Sequence, residues 1–144
     1  MIAVFILALI GLAVSIYGIN VENRLKENAR YKAACDLSDK ISCSRPMLSE
    51  YNKMLGISNI WASALYYCVM IASIFMELPI LPLILSIVGC AVSVVFAYIL
   101  YFKIHSFCLI CTSLYAINIA LMIACFFSWN FYNGIVGFLI WRFF

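Results

Sequence analysis

The sequence predicts an all-α membrane protein of four transmembrane helices, folded as a single domain over residues 1–144, and three observations carry that expectation. Of the 144 residues, 67% are hydrophobic and 10% charged, with a mean hydropathy of +1.11. A soluble domain carries about 25% charged residues, so too little charge remains here to coat a water-facing surface. Four apolar runs are each long enough to cross a bilayer, which takes about 20 residues, with a range of roughly 17–25. The long polar stretch is a single one, from Asn20 to Asn59.

The first span is read from Ile2 to Ile19, without a charge. It has neither the basic start nor the small-x-small site of a cleaved leader, so it is expected to remain as a helix. The second span covers 60–76 and is ended by Glu77. The third covers 80–102, with Pro79 and Pro82 at its mouth, where a missing N–H costs little because first-turn amides lack partners anyway. The fourth covers 107–127. The tail from Gly134 to Phe144 is apolar but too short to span, and Trp141 with Arg142 suggests a segment lying at the interface.

With four spans, the 20–59 loop and the short Lys103–Ser106 turn share one face of the membrane. Cys35 and Cys43 lie in that loop, and Cys108 and Cys111 open the fourth span just after that turn. All four cysteines are therefore on one side and able to meet. The loop also holds Arg24, Lys26, Arg30, Lys32, Lys40, Arg45 and Lys53, which by the positive-inside rule alone would face the cytoplasm. Disulfide chemistry points the other way, to the periplasm or the ER lumen. The cysteines outweigh the rule, because the opposite face has hardly any charge to compete. The net charge of +3 is modest and forms no dense basic stripe, so nucleic acid is not an expected partner.

Seven cysteines are many for this length. Cys68, Cys90 and Cys125 fall inside apolar runs, where a thiol behaves as a small hydrophobe. Cys108-Leu-Ile-Cys111 puts two thiols on one helical face. With Ser106 as N-cap, Cys108 would sit in the first turn, where the helix dipole favours a thiolate, and Lys103 would add a nearby cation. Cys35 and Cys43 form a second pair, read either as a structural staple or as a redox couple. A solvent-accessible loop pair beside a membrane-embedded helical pair is what a two-stage electron relay needs. The rival is a non-enzymatic tetraspan protein whose four cysteines, with or without His105, bind zinc or copper. The seven-residue spacer of the loop pair is long for that, and no metal is expected.

The stretches Tyr31-Lys-Ala-Ala-Cys35-Asp, Ile41-Ser-Cys43-Ser-Arg45, Ser58-Asn59 and Phe107-Cys108-Leu-Ile-Cys111-Thr-Ser-Leu-Tyr115-Ala-Ile-Asn118 resemble the vitamin K epoxide reductases and their bacterial homologues. The resemblance runs from the first span through the fourth. It implies a four-helix bundle around a quinone pocket, capped by an extracytosolic loop between the first two helices. It implies a membrane thiol–disulfide oxidoreductase that supports disulfide formation, with ubiquinone, menaquinone or vitamin K as electron acceptor. Cys35 and Cys43 match the family's loop cysteines; Cys108 and Cys111 match its active-site pair, Cys111 attacking the quinone and Cys108 exchanging with Cys43. Asn59 and Tyr115 match its hydrogen-bond donors to the substrate oxygens, and Tyr115 lies one turn below Cys111 on the same face. Asn59 could equally be a plain N-cap of the second span. The segment from Cys43 to Asn59 is shorter than in vertebrate members, with Ala62 beside Trp61 where those keep an aromatic. A thioredoxin-like partner would be a separate chain. The resemblance implies a bacterial inner membrane with the loop facing the periplasm, or an ER membrane with the loop in the lumen. The alternative activity is vitamin K epoxide reduction in the ER.

Overall fold

In the computed structural model, residues 2–28, 30–38, 40–53, 57–76 and 80–143 are described, with side chains described as far as Ile135. The elements are α1 (Ile2–Glu27), α2 (Ser44–Leu48), a 3-10 turn (Glu50–Lys53), α3 (Asn59–Phe75), α4 (Leu81–Tyr98) continued by a π-helical turn (Ile99–Ile104), and α5 (Leu109–Phe143).

The buried positions of α1 are Val4, Ala8, Gly11, Ser15, Gly18, Val21, Glu22 and Leu25. Their alternating spacing of three and four residues is the seam of a left-handed helix pair, and small side chains along it let backbones approach closely. Gly11 is one such place: a Cβ there would overlap the Tyr67 ring of α3. On α4 the buried residues Pro82, Ser86, Gly89 and Ser93 repeat the pattern, and a Cβ on Gly89 would run into the Tyr66 hydroxyl. α1 packs on α3 and α5, and α4 packs on α5 and α3, closing a ring of four helices.

In an apolar bundle, association rests on packing and interhelical hydrogen bonds rather than on hydrophobic burial. Ser15 and Ser63 share a hydroxyl–hydroxyl bond of 2.9 Å between α1 and α3. The Tyr67 hydroxyl donates to Asn118 Oδ1 at 2.9 Å, and Asn118 Nδ2 donates to Ser93 Oγ at 2.7 Å. Three helices are thereby joined at one asparagine. Large apolar side chains line the outside of the bundle, with Leu65, Phe75, Val94, Phe127 and Phe131 among the exposed ones.

Among the described residues, three helical stretches are long and apolar enough to cross a membrane, namely Ile2–Glu27, Leu81–Ile104 and Leu109–Ile135. The second expected span forms the shorter apolar helix Asn59–Phe75, of 17 residues. Glu77 and Pro79, read as its terminator and the mouth of the next, lie outside the described residues. Pro82 does occupy the first turn of α4.

Two expectations on helix ends are corrected. α1 continues eight residues past Ile19, because Asn20–Glu27 holds no helix breaker and its last turn carries Arg24 and Lys26, which suit the negative end of the dipole. The chain then leaves through a turn in which the Asn28 side chain accepts the Arg30 N–H at 3.1 Å. The tail from Gly134 is not a separate element either. α5 runs unbroken to Phe143, since no proline interrupts it and Gly134 is tolerated where nothing crowds it. The side chains of Trp141 and Arg142 lie outside the described residues.

Candidate active site

The loop between α1 and α3 is built around Asp36. Its Oδ1 accepts the Cys43 N–H at 2.7 Å and the Ser44 N–H at 3.2 Å, and its Oδ2 accepts the Ala33 N–H at 3.2 Å and the Ser44 hydroxyl. Burial works to raise the Asp36 pKa, but hydrogen bonds from Ser44, Ser42 and Cys43 prevail and hold it below the ordinary carboxylate value. That ring of bonds draws Cys35 and Cys43 together. They form a disulfide pair with Cα atoms 6.1 Å apart, within the usual span for such a bond.

The loop is zipped to the segment that opens α5. Phe107 N donates to Lys40 O at 2.8 Å, Ser42 N donates to Phe107 O at 3.0 Å, and Ile41 and Phe107 form a parallel bridge. The Ser106 hydroxyl adds a bond to Ser42 O at 3.3 Å. Cys43 follows Ser42 and Cys108 follows Phe107, so the zipper draws the two cysteine-bearing segments together. Both cysteines are completely buried.

Two corrections follow from this zipper. Ser106 is not the helix cap, because its hydroxyl and the backbone beside it are taken by the loop. α5 begins at Leu109, and the Cys108 sulfur itself accepts the Cys111 N–H at 3.3 Å while Cys108 O accepts the Thr112 N–H at 2.9 Å. Nor is Lys103 the local charge: its ammonium lies over the Tyr51 ring, 5.4 Å from the centroid, and the charge felt at Cys108 is the Asp36 carboxylate.

The loop pair is not solvent-accessible as expected. Cys35 is 6% exposed and Cys43 not at all, because Ala33, Cys35, Cys43 and Met47 pack into the core instead of facing water. Cys111 is half-buried, and with Cys108 it carries free thiols, as do Cys68, Cys90 and Cys125. Among the described residues, no group of three or more His, Cys, Asp or Glu side chains is arranged to hold a metal ion. His105 instead takes a left-handed turn, φ 52°, between the π-helical turn and the zipper.

Tyr115 is half-buried on α5 within electrostatic reach of Cys111, Cys108 and Tyr101, and its hydroxyl makes no hydrogen bond among the described residues. Asn59 is the first residue of α3, so the N-cap position falls to Ser58, and Asn59 Nδ2 donates to Tyr51 O at 2.9 Å. One N–H and the side-chain oxygen of Asn59 remain for another partner. Among the described residues, no hydrogen bond joins Asn59 to Tyr115.

Sequence reasoning missed Asp36, Glu22 and Asn118. Asp36 stood next to a singled-out cysteine, and Asn118 closed a quoted motif, yet neither signalled a bond to a distant element. Glu22 was hidden by ending the first helix too early.

The family model for the vitamin K epoxide reductase family matches residues 2–126. Vitamin K epoxide reductase complex subunit 1 of Mus musculus is 32% identical over 142 residues, an overlap of 83% of this chain and 84% of that protein. The subunit of the same name from Rattus norvegicus is 32% identical over 136 residues, with 83% and 84% covered. With the family model matching residues 2–126 and relatives 32% identical along most of its length, this chain belongs to the vitamin K epoxide reductase family.

Proposed function

We propose that this chain is a quinone-linked thiol–disulfide oxidoreductase with four membrane spans, α3 included. Its loop faces the periplasm or the ER lumen. A thioredoxin-like dithiol, supplied by a separate chain, reduces the Cys35–Cys43 disulfide and leaves itself oxidised. Cys43 then attacks the oxidised inner pair at Cys108, giving a Cys43–Cys108 disulfide and a Cys111 thiolate. Cys35 resolves that bond, restoring Cys35–Cys43 and leaving Cys108 and Cys111 reduced. Cys111 attacks the quinone, Cys108 displaces it to re-form the inner disulfide, and the two thiol protons balance the quinol. Asn59 donates to one oxygen of the bound quinone, and Tyr115 donates to the other as negative charge develops there.

The observation that carries this reading is the backbone pairing of residues 40–42 with Phe107, which supports exchange between the segments that bear Cys43 and Cys108. The free Tyr115 hydroxyl one turn below Cys111 supports it, since a buried phenol in an apolar bundle needs a partner. A 17-residue α3 is at the short end of the spanning range of roughly 17–25. The test is quinone reduction by the purified chain with dithiothreitol, comparing ubiquinone, menaquinone and vitamin K epoxide. At least one quinone should be reduced, and Cys108→Ser should abolish it; a chain inert toward all three would sink the proposal.

A second reading, vitamin K epoxide reduction in the ER, is favoured by the mouse and rat relatives. It requires turnover of the epoxide at a rate comparable to the quinones in the same assay.

A further inference from the structure

Glu22 occupies a position where α1 otherwise turns small or apolar side chains to the bundle. It follows Ala8, Gly11, Ser15 and Gly18 on the buried seam and is 1% exposed. A buried carboxylate is costly unless it is paired and hydrogen-bonded. Oε2 accepts the Ser58 hydroxyl, and Oε1 lies 2.7 Å from the ammonium of Lys26, whose side chain is half exposed. Oε1 receives no well-aligned hydrogen bond among the described residues, so Lys26 holds it by charge alone.

The bond to Ser58 leads to both halves of the site. Ser58 directly precedes Asn59, the first residue of α3. Its hydroxyl is also 3.4 Å from Asn52 Oδ1, and Asn52 Nδ2 donates to Met47 O at 2.9 Å, in the short helix that follows Cys43. No other acidic side chain among the described residues is buried in the helix seams.

We propose that Glu22 is a positioning residue for quinone binding, which pins Ser58 to α1 and so fixes where Asn59 presents its amide. The inference rests on Asn59 being a quinone contact. One N–H of Asn59 is already committed to Tyr51 O, so the direction of the other follows from where the first turn of α3 sits. Loss of the Glu22 carboxylate frees that turn, and the quinone then meets a donor that must be reoriented on binding. The penalty falls on binding rather than on thiol exchange, because the Asp36 ring and the 40–42/106–107 zipper do not pass through Glu22.

The experiment uses the full chain in detergent, dithiothreitol as reductant and a short-chain ubiquinone as probe. Glu22→Ala and Ser58→Ala should each raise KM for the quinone about tenfold with kcat within about twofold, since a lost buried hydrogen bond is felt as uniform binding. Glu22→Gln keeps an oxygen for the Ser58 hydroxyl and should hold KM within about threefold of the parent. Asn59→Ala should raise KM as well, and adding Glu22→Ala to it should raise KM no further, because contacts acting through one group are not additive. Ser58→Ala removes only a hydroxyl and keeps the test valid if Glu22→Ala does not fold. An unchanged KM in Ser58→Ala and Glu22→Ala beside a raised one in Asn59→Ala would overturn the role of Glu22 and leave Asn59 standing. An unchanged KM in Asn59→Ala would overturn both.

Discussion

Ser42 N donates to Phe107 O across 3.0 Å, and the residue after each is a buried cysteine, Cys43 on one strand and Cys108 on the other. A mobile loop would have to search for its target thiol, whereas here two backbone bonds and the Ser106 hydroxyl already hold the two segments together. If exchange runs between these neighbours, removing Cys111 leaves Cys108 without its own partner while Cys43 stays beside it. Cys111→Ser should therefore accumulate a Cys43–Cys108 disulfide with Cys35 free. Non-reducing mass spectrometry would find the two cysteines in one linked peptide pair. Recovery of Cys35–Cys43 alone would count against the exchange order.

Tyr115 supplies the second prediction. Its hydroxyl makes no hydrogen bond among the described residues, although Tyr66 and Tyr67 nearby each have one, to Leu85 O and Asn118 Oδ1. Tyr115→Phe keeps the ring and its packing, so the fold should survive. The loss of one buried hydrogen bond to a developing oxyanion costs roughly 1–3 kcal/mol, or about a 5- to 150-fold drop in quinone reduction. Steady-state kinetics at saturating reductant would show it. Parent-like rates with every quinone would leave Tyr115 as a packing residue only.

Much of this architecture was legible in the residues. Apolar run length gave the helices, and the cysteine spacing with Tyr115 gave the family. What the sequence could not give was decided by competition for backbone groups. Ser106 looks like a helix cap because serine before an apolar run usually is one, but the loop claimed its hydroxyl and the cap fell to the Cys108 sulfur. Lys103 looks like a cation for the thiolate, yet the Tyr51 ring drew it off. The cysteine loop reads as polar and exposed, and only the Asp36 bonds reveal why Cys35 and Cys43 are buried. Glu22 was invisible for a simpler reason: a charge was taken as the end of a span, although a buried partner lay 36 residues away on Ser58.

Asp36 carries the third prediction. Its folded pKa is depressed, so its contribution to loop stability is fully present above the unfolded value of about 3.9 and is lost as pH falls from there through the folded value. Asp36→Ala removes the acceptor for Ala33, Cys43 and Ser44 at every pH, leaving partly buried N–H groups unpaired. Each such loss costs about 1–3 kcal/mol where water cannot replace it. The loop should open more often, and dithiothreitol should reduce Cys35–Cys43 faster in the variant near neutral pH. Quenched alkylation time courses would measure this, and with a phosphine reductant, which works in acid, the gap between parent and variant should narrow as pH drops below about 4. Equal reduction rates near neutrality would mean that the zipper alone holds the loop shut.

Sidedness is where the chemistry and the charges of this chain conflict, and it carries the last prediction. A disulfide-forming relay needs the loop in an oxidising compartment, with both termini on the cytosolic face. Seven basic residues between Arg24 and Lys53 argue for the reverse. That argument is a bias set by competition between flanks, and some of the loop's charge is tied up locally. Lys26 is paired with Glu22, and the Arg24 guanidinium lies over the Tyr31 ring at 5.7 Å. Cys35 itself is a poor reporter because it is 6% exposed, but Leu37, two residues on, is 72% exposed. Leu37→Cys in a variant whose native cysteines are all serine gives one accessible thiol in the loop. A membrane-impermeant maleimide should label it in cells whose outer barrier is permeable to the reagent, or in microsomes only after they are opened. Labelling of sealed, cytosol-side-out microsomes, or protection in the cells until lysis, would put the loop in a reducing compartment. The relay could not then supply disulfides to secreted proteins, whatever the geometry of Cys43 and Cys108.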